Sequence, residues 1–300
     1  MLSVTEVRDL SKVSEWRSIF AIATDWGAIA LIFWINMTYF HPILWFVSIF
    51  LMARFQYALF ILKHDAAHSL LFRSKRLNDF VGQLIVCPLL LSLTAYRKHH
   101  LLHHRVPLTK EDPDLSLTGG YPITKASFLR KIRRDICGIS YFKLMPYYFG
   151  FAVGKDSKGD KPSISSPSSW FVWVGLLSNI LLMGILWRSG HPTLYFFLWL
   201  LPLMSPLQVF LRIRGITEHA GYQPNENQAL NTRTVVNSWQ PFFLAPHKVN
   251  YHLEHHLYPS IPFHRLPETH ALLLSRGDLP ATNLYHSYAD VIRELVSRKA

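Results

Sequence analysis

The sequence is poor in cysteine and in acidic residues. Its 300 residues include only two cysteines, Cys87 and Cys137, and 19 Asp and Glu against 31 Lys and Arg. Two cysteines so far apart form no disulfide framework, no Cys-x-x-Cys zinc site and no iron–sulfur site. A glycine-rich phosphate loop and a Ser-His-Asp arrangement are also missing. The sequence therefore lacks the usual motifs of nucleotide-binding proteins and of serine hydrolases.

The excess of basic residues gives a net charge of +12. No nucleic-acid motif accompanies this charge, so we expect no nucleic-acid partner. Hydrophobic residues make up 50% of the chain, and the mean hydropathy is +0.14, which is high for a chain with so many charges. This mixture indicates membrane-spanning segments joined by basic segments that contact membrane lipids with anionic headgroups.

Four apolar segments are close to the length that crosses a bilayer. They cover residues 19–40, 43–62, 170–187 and 194–211. Short turns, His41-Pro42 and residues 189–192, join the segments in pairs, which predicts two hairpins. Arg54 and Gln56 interrupt the second segment and should face the protein interior, because polar groups are costly in lipid. Residues 79–95 are apolar but short, and we interpret them as a re-entrant or interfacial segment.

These segments predict a single all-α integral membrane domain over residues 1–300. Basic residues are nearly absent from the two turns, with Arg188 the exception, and are common elsewhere. By the positive-inside rule, both termini and the regions 63–169 and 212–300 are then cytoplasmic. The two regions would form a helical cap over the four spans.

Most of the histidines fall in three short clusters, and His219 stands alone before the third. On a helix, spacings of three and four residues place imidazoles on one face, where they can bind one metal ion. The candidate ligands are His64, His68, His100, His103, His104, His219, His252, His255 and His256. Nine imidazoles are enough for two metals with open positions, and imidazole suits iron, copper, zinc and nickel alike. The unclustered histidines are assigned to the surface or to packing: His264, His270 and His286.

The three clusters resemble the three histidine boxes of the membrane fatty acid desaturase superfamily. The boxes are His64-Asp65-Ala66-Ala67-His68, His100-Leu101-Leu102-His103-His104 and His252-Leu253-Glu254-His255-His256. The flanking motifs resemble those of bacterial members: Leu77-Asn78-Asp79, Glu111-Asp112-Pro113-Asp114, Glu218-His219-Ala220-Gly221, Asn231-Thr232-Arg233-Thr234 and Leu257-Tyr258-Pro259. Together the boxes are specific for the superfamily, but they say little about the substrate.

The resemblance implies a non-haem di-iron centre held by the nine histidines, with O2 as the oxidant of an unactivated C–H bond. His99, one residue before the expected first ligand of box two, would lie just outside the ligand set, although the sequence does not decide between His99 and His100. Four polar neighbours are candidates to orient the imidazoles through their second nitrogens: Asp65, Glu218, Asn250 and Glu254. Some relatives hold a water with an asparagine four residues before the isolated histidine, but that position here is Gly215.

The resemblance also implies an oxidoreductase that introduces a double bond into a fatty acyl chain of a lipid or an acyl thioester. The chain has no His-Pro-Gly-Gly haem motif and too few cysteines for a ferredoxin domain. We therefore expect a separate electron donor, of ferredoxin or cytochrome b5 type, and its reductase. A carotenoid ketolase or hydroxylase, or another lipid hydroxylase of the superfamily, is the alternative. A metal transporter fits less well, because transporters place their ligands within the spans.

Overall fold

The structure, a computed structural model, describes residues 1–39, 41–144, 170–222, 228–236 and 239–297. Part of the predicted cytoplasmic region 63–169 therefore lies outside the described residues. The described residues are mostly helical, as predicted. Their helices are α1 (Val4–Leu10), α2 (Glu15–Thr38), α3 (Pro42–Ala67), α4 (Lys75–Leu84), α5 (Leu93–Arg105), α6 (Leu115–Thr118), α7 (Lys125–Ile136), α8 (Trp170–Arg188), α9 (Leu201–Met204), α10 (Pro206–His219), α11 (Pro241–Leu244), α12 (His252–Leu257), α13 (Leu266–Ser275) and α14 (Tyr288–Leu295).

Four helical segments in the described residues are long and apolar enough to cross a membrane. They are α2, α3, the Phe171–Arg188 part of α8, and the run Tyr195–His219, in which a π-helical turn leads into α9 and α10. Each predicted span therefore corresponds to a helix of membrane-spanning length. The second and fourth helices extend beyond the predicted ends, to Ala67 and His219, so the same helices that form the spans also carry histidines. The pairing of the spans into hairpins and their sidedness stay predictions.

Polar side chains within the long helices have hydrogen-bond or ion-pair partners inside the protein. Arg54 on α3 lies 3.2 Å from a carboxylate oxygen of Asp25 on α2. Gln56 is fully buried and donates to the carbonyl of Trp199 over 2.8 Å. A charge buried without a partner would cost several kcal/mol, so the pairing makes these positions tolerable. The prediction that Arg54 and Gln56 face the interior is confirmed.

The predicted segment 79–95 is not one continuous helix. It consists of the end of α4, a 3-10 turn at Cys87–Leu89, and the start of α5. Pro88 cannot donate a backbone hydrogen bond, and Leu90 adopts a left-handed φ of 57° that ends the turn. Gln83 closes the turn by donating to the carbonyl of Leu91 and accepting from the amide of Leu93, both over 2.8 Å. Whether this segment enters the membrane stays a prediction.

Side chains from α4 and α5 bind the carboxyl end of α3. Asn78 donates to the carbonyl of Ala66 over 2.9 Å and accepts from the amide of Leu71 over 3.1 Å. Arg97 on α5 donates to the carbonyls of Ala66 and Ala67 over 2.7 and 2.8 Å. These bonds satisfy carbonyls that a helix end leaves unpaired. They also fix the direction in which α3 and α5 present their histidines.

A small two-stranded parallel sheet supports the third histidine box. Strand β1 (Thr234–Val235) pairs with β2 (Leu284–Tyr285), with Thr234 opposite Leu284. Asn283 fixes the neighbouring loop by donating to the carbonyls of Leu230 and Thr232 over 2.8 and 2.7 Å. The sheet therefore holds the segment between α10 and α12, which carry His219 and box three.

Candidate metal centre

The histidine boxes lie on helices at the spacings that the sequence predicts. Box one is at the end of α3, where His64 lies in the helix and His68 caps its carboxyl end. Box two is in the second half of α5, and box three forms most of α12. His219 is the last residue of α10. The four helix ends meet, so residues more than 150 positions apart in the chain become neighbours.

Two adjacent clusters contain eight of the nine predicted ligands. The ligand nitrogens of the first cluster all lie within 4.8 Å of one another, and its members are His64, His68, His100, His104 and His255. In this cluster the Nε2 atom of His104 is 3.0 Å from Nε2 of both His100 and His255. The second cluster meets the same 4.8 Å limit, with His103, His219 and His256 as members.

His252 extends the second cluster on its far side. Its Nε2 atom lies 2.9 Å from Nε2 of His219, which in turn lies 3.2 Å from Nε2 of His103. The rings of His104 and His256 stack with centroids 4.1 Å apart and so join the two clusters. All nine predicted ligands therefore lie at one place in the fold.

The residues present fit metal ions. Among the nine predicted ligands, four buried ring nitrogens have no hydrogen-bond partner: Nε2 of His64, of His68 and of His256, and Nδ1 of His252. Leaving such an atom unpaired costs about 1–3 kcal/mol, whereas a metal ion would use its lone pair. Burial lowers the pKa of His68 to about 4 and those of His100 and His255 well below the ordinary value. These imidazoles are thus neutral at pH 7, which is the form that binds metal.

One carboxylate and one backbone carbonyl contact cluster histidines at the second ring nitrogen. Asp65, as predicted, lies 3.2 Å from Nδ1 of His64, and its other oxygen accepts from the amide of Phe263. The carbonyl of Asn231 lies 3.2 Å from Nδ1 of His219. Such contacts fix the ring orientation and the tautomer of a metal-binding histidine.

The sequence reasoning missed Asp112 as a site residue. Its Oδ1 lies 2.9 Å from Nδ1 of His103. Burial lowers the pKa of His103, but the hydrogen bond to Asp112 and the charge of Asp114 outweigh burial, and the net shift is upward. The signal was present, because Asp112 belongs to a motif that carried the family resemblance. Only the fold shows that its carboxylate reaches box two.

The predicted roles of Asn250 and Glu254 need correction. Asn250 donates to the carbonyl of Val235 over 2.9 Å and thus supports the sheet. Glu254 lies on α12 between His252 and His255, about 200° around the helix from His252, so it points away from the clusters. Its carboxylate accepts from Thr234 over 2.5 Å and lies 2.6 Å from Nδ1 of His270. His270 is therefore a buried partner of Glu254, which is more specific than the surface or packing role expected for it.

His99 and Glu218 flank the clusters. His99 contacts Asp114, with 2.8 Å between Nε2 and Oδ1, whereas His100 lies within the first cluster. Glu218 precedes His219 on α10, and its carboxylate lies 3.5 Å from Nε2 of His252. The structure thus places His100 rather than His99 with the metal-binding candidates.

A cavity of about 460 Å³ adjoins the clusters. Histidines form part of its wall, and apolar and aromatic side chains form much of the rest: Tyr57, Phe60, Ile61, Leu91, Tyr96, Leu117, Leu144 and Leu211. Five basic and three acidic side chains also line it: Lys63, Arg134, Lys143, Arg212, Arg214, Asp114, Asp135 and Glu218. Its size is in the range of roughly 300–1,000 Å³ found for small-molecule sites.

The fold and the site define a helical protein with four helices of membrane-spanning length and a buried histidine site suited to two metal ions. The chain belongs to the fatty acid desaturase family, whose sequence profile matches residues 40–289. It is therefore an oxidoreductase of a membrane-bound family, as the histidine boxes predicted.

Relatives within the family differ in what they act on. The chain is 28% identical to dihydrorhizobitoxine desaturase of Bradyrhizobium elkanii, over 72% of the chain and 64% of that enzyme. It is 23% identical to sn-1 acyl-lipid omega-3 desaturase (ferredoxin) of Nostoc sp. (strain 36), over 83% of the chain and 73% of that enzyme. It is 26% identical to beta-carotene ketolase of Paracoccus sp. (strain N81106 / MBIC 01143), over 76% and 80% respectively. Because the sequence identities to these three relatives are so similar, they do not identify the substrate.

Proposed function

We propose that the protein is an O2-dependent di-iron desaturase that introduces a double bond into a fatty acyl chain. The observation that carries the proposal is the meeting of all three histidine boxes and His219 in two adjacent clusters beside a largely apolar cavity. Two clusters with separate ligands favour two metals over one. The nine predicted histidines are the proposed ligands, with His99 outside the set.

Iron is the proposed metal because the reaction of the family needs redox chemistry that imidazole side chains cannot supply. When bound, two irons supply the activation of O2 and the one-electron steps of C–H oxidation. The protein holds the metals with neutral imidazoles and fixes these through Asp65, Asp112 and the carbonyl of Asn231. The burial of the clusters excludes bulk water from the reacting carbon.

The charges of the cavity favour an acyl substrate with an anionic head over an uncharged carotenoid. Lys63 is buried, and its ammonium nitrogen lies 3.8 Å from the ring centroid of Tyr96 and 4.6 Å from that of Phe60. Among the described residues it forms no ion pair. The Nε atom of Arg134 is buried without a hydrogen-bond partner. A carboxylate, phosphate or acyl-carrier group would pair with these basic side chains, while the apolar wall holds the chain.

The proposed arrangement in the cell is a four-span membrane protein with both termini and the histidine boxes on the cytoplasmic side. The high content of basic residues and their scarcity in the short turns support it. Lys98 and Arg105 are exposed on α5, the helix of box two. They would attract an acidic electron donor, of ferredoxin or cytochrome b5 type, that its reductase keeps reduced.

The test is conversion of a labelled substrate. Membranes containing the protein, a donor and its reductase are supplied with a saturated fatty acid deuterated along the chain, and the lipids are analysed by mass spectrometry. We expect a new double bond and the loss of two deuteriums from adjacent carbons. Hydroxylated lipid alone, or an altered carotenoid beside unaltered acyl chains, would refute acyl desaturation and support the alternative activities. A His103→Ala variant is the control for background conversion.

A further inference from the structure

The two histidine clusters differ in the number of their ligands. The first has five imidazoles, whereas the second has three that meet the same distance limit, with His252 as a fourth neighbour. A side chain that adds one ligand to the second cluster would make the two sites equal in number. Glu218 offers such a ligand, because one of its carboxylate oxygens lies within 4.8 Å of ligand nitrogens of both His219 and His252.

Arg214 holds the Glu218 carboxylate in place. The Nε atom of Arg214, one helical turn earlier on α10, lies 2.6 Å from Oε1 of Glu218. Oε2 is directed to the second cluster, where it lies 3.5 Å from Nε2 of His252. Both Arg214 and Glu218 line the cavity, and Glu218 is 5% exposed. One oxygen is therefore used by the ion pair, and the other faces the imidazoles.

The distance from Oε2 of Glu218 to Nε2 of His252 suits two ligands of one metal better than a hydrogen bond. An N–H···O hydrogen bond has its heavy atoms about 2.7–3.2 Å apart, so 3.5 Å is too long. Two ligand atoms at about 2.1 Å from one metal lie roughly 3.0–3.4 Å apart, at angles between 90° and tetrahedral. The 3.5 Å between Oε2 of Glu218 and Nε2 of His252 lies close to the upper end of this range.

The position one turn before His219 cannot supply a polar group. It is Gly215, and a Cβ atom built there would lie 2.6 Å from Cδ2 of Leu117. The side chain of Leu117, from α6, therefore occupies the space that a larger residue at 215 would need. With glycine at this position, the chain has no side chain there that could hold a water molecule. The carboxylate of Glu218 reaches the second cluster from the same helix.

We propose that Oε2 of Glu218 is a ligand of the second metal ion, beside His219 and His252. The second site is then a mixed imidazole–carboxylate site, and the first is all-imidazole. Arg214 is a positioning residue that fixes the carboxylate and balances its charge. This inference rests on the proposed function in requiring two bound metals. A hard anionic oxygen ligand on one site alone would make the two irons unequal in charge and in spectrum.

The experiment compares the wild type with Glu218→Gln and with Glu254→Gln as the matched control. Glu254 is also buried on a helix beside the clusters, but it contacts His270 and Thr234 instead of a cluster histidine. Each purified full-length protein is loaded anaerobically with ⁵⁷Fe(II) alone. Bound iron is measured by mass spectrometry, and the two sites are resolved by Mössbauer spectroscopy. Gel filtration in detergent checks that each variant is folded.

We expect the wild type and Glu254→Gln to bind two irons with two distinct quadrupole doublets. Glu218→Gln should lose about half of the iron, or keep it with one doublet changed and the other unchanged. A Glu218→Gln protein with two irons and both doublets as in the wild type would overturn the inference and leave the proposed function intact. A folded wild type that binds fewer than two irons would overturn the proposed di-iron function itself.

A second measurement does not depend on the variant folding. Infrared difference spectra of the wild type, recorded as Fe(II) is added, should show shifts of the symmetric and antisymmetric carboxylate stretches. A carboxylate that becomes a metal ligand changes the separation of these two bands. Absence of any carboxylate shift while two irons bind would refute the assignment of Glu218 as a ligand.

Discussion

Asp112 is the residue outside the ligand set whose replacement should tell most about how the second site is held. Its buried carboxylate contacts Nδ1 of His103 at 2.9 Å and accepts from the amides of Leu108 and Asp114 over 2.7 and 2.8 Å. Leu108 has a positive φ of 63°, which the bond from its amide helps to maintain. In Asp112→Asn one of the two oxygens becomes an NH2 group. The NH2 group faces an N–H donor and cannot accept its hydrogen bond. One hydrogen bond is therefore lost, while the size of the side chain is unchanged.

The expected effect of Asp112→Asn is a weaker second metal site. Loss of a carboxylate that orients a metal-bound histidine typically lowers metal affinity 10- to 100-fold. This corresponds to about 1.4–2.7 kcal/mol of binding free energy. The first site should keep its affinity, because its histidines do not contact Asp112. The variant should therefore bind one iron at the wild-type affinity and the second 10- to 100-fold more weakly.

The assay is an anaerobic titration with Fe(II) in competition with a chromophoric chelator. Asp290→Asn is the matched control, because Asp290 pairs with Arg293 at the surface, 2.6 Å away and far along the chain from the histidine boxes. The control should bind both irons as the wild type does. An Asp112→Asn protein with two unchanged affinities would show that the carboxylate does not orient His103 in the metal-bound protein.

Replacing His255 with alanine should abolish product formation and remove iron from the first site, while the protein stays in the membrane fraction. His286 lies at the surface, so His286→Ala should change neither the activity nor the iron content. Both are measured in washed membranes. Replacing His270 with alanine should lower the thermal unfolding temperature, since it leaves the buried Glu254 carboxylate without one partner, and an unchanged temperature would contradict that role. Cysteines introduced at positions 69 and 260 should be labelled from the same, cytoplasmic side, and labelling from opposite sides would refute the proposed topology. In the metal-free protein burial holds the pKa of His68 at about 4, against an ordinary 6.5. The unfolded chain then binds a proton first as the pH falls, so the metal-free protein should lose stability from about pH 6.5 down to about pH 4; a flat melting temperature over this range would argue against a neutral buried cluster.

The sequence by itself determined the class of fold and the set of metal-binding candidates. Apolar segments of membrane-spanning length are set by local composition, and the structure has helices at all four. Helical periodicity is also local, so spacings of three and four residues were enough to place His100, His103 and His104 on one helix face. The inward orientation of Arg54 and Gln56 was likewise predictable from the sequence, because polar groups are costly in an apolar environment.

Only the tertiary structure decided which histidines share a cluster and which polar groups serve them. His103 and His104 are adjacent in the sequence but point to different clusters, because consecutive residues on a helix are about 100° apart. Asp112 reaches His103 through a loop, and Glu254 turns to His270, although Glu254 lies within a histidine box. Gly215 leaves room for Leu117, and Glu218 faces the second cluster. These contacts depend on how α3, α5, α10 and α12 pack together. The local sequence of a single segment does not predict contacts with distant segments.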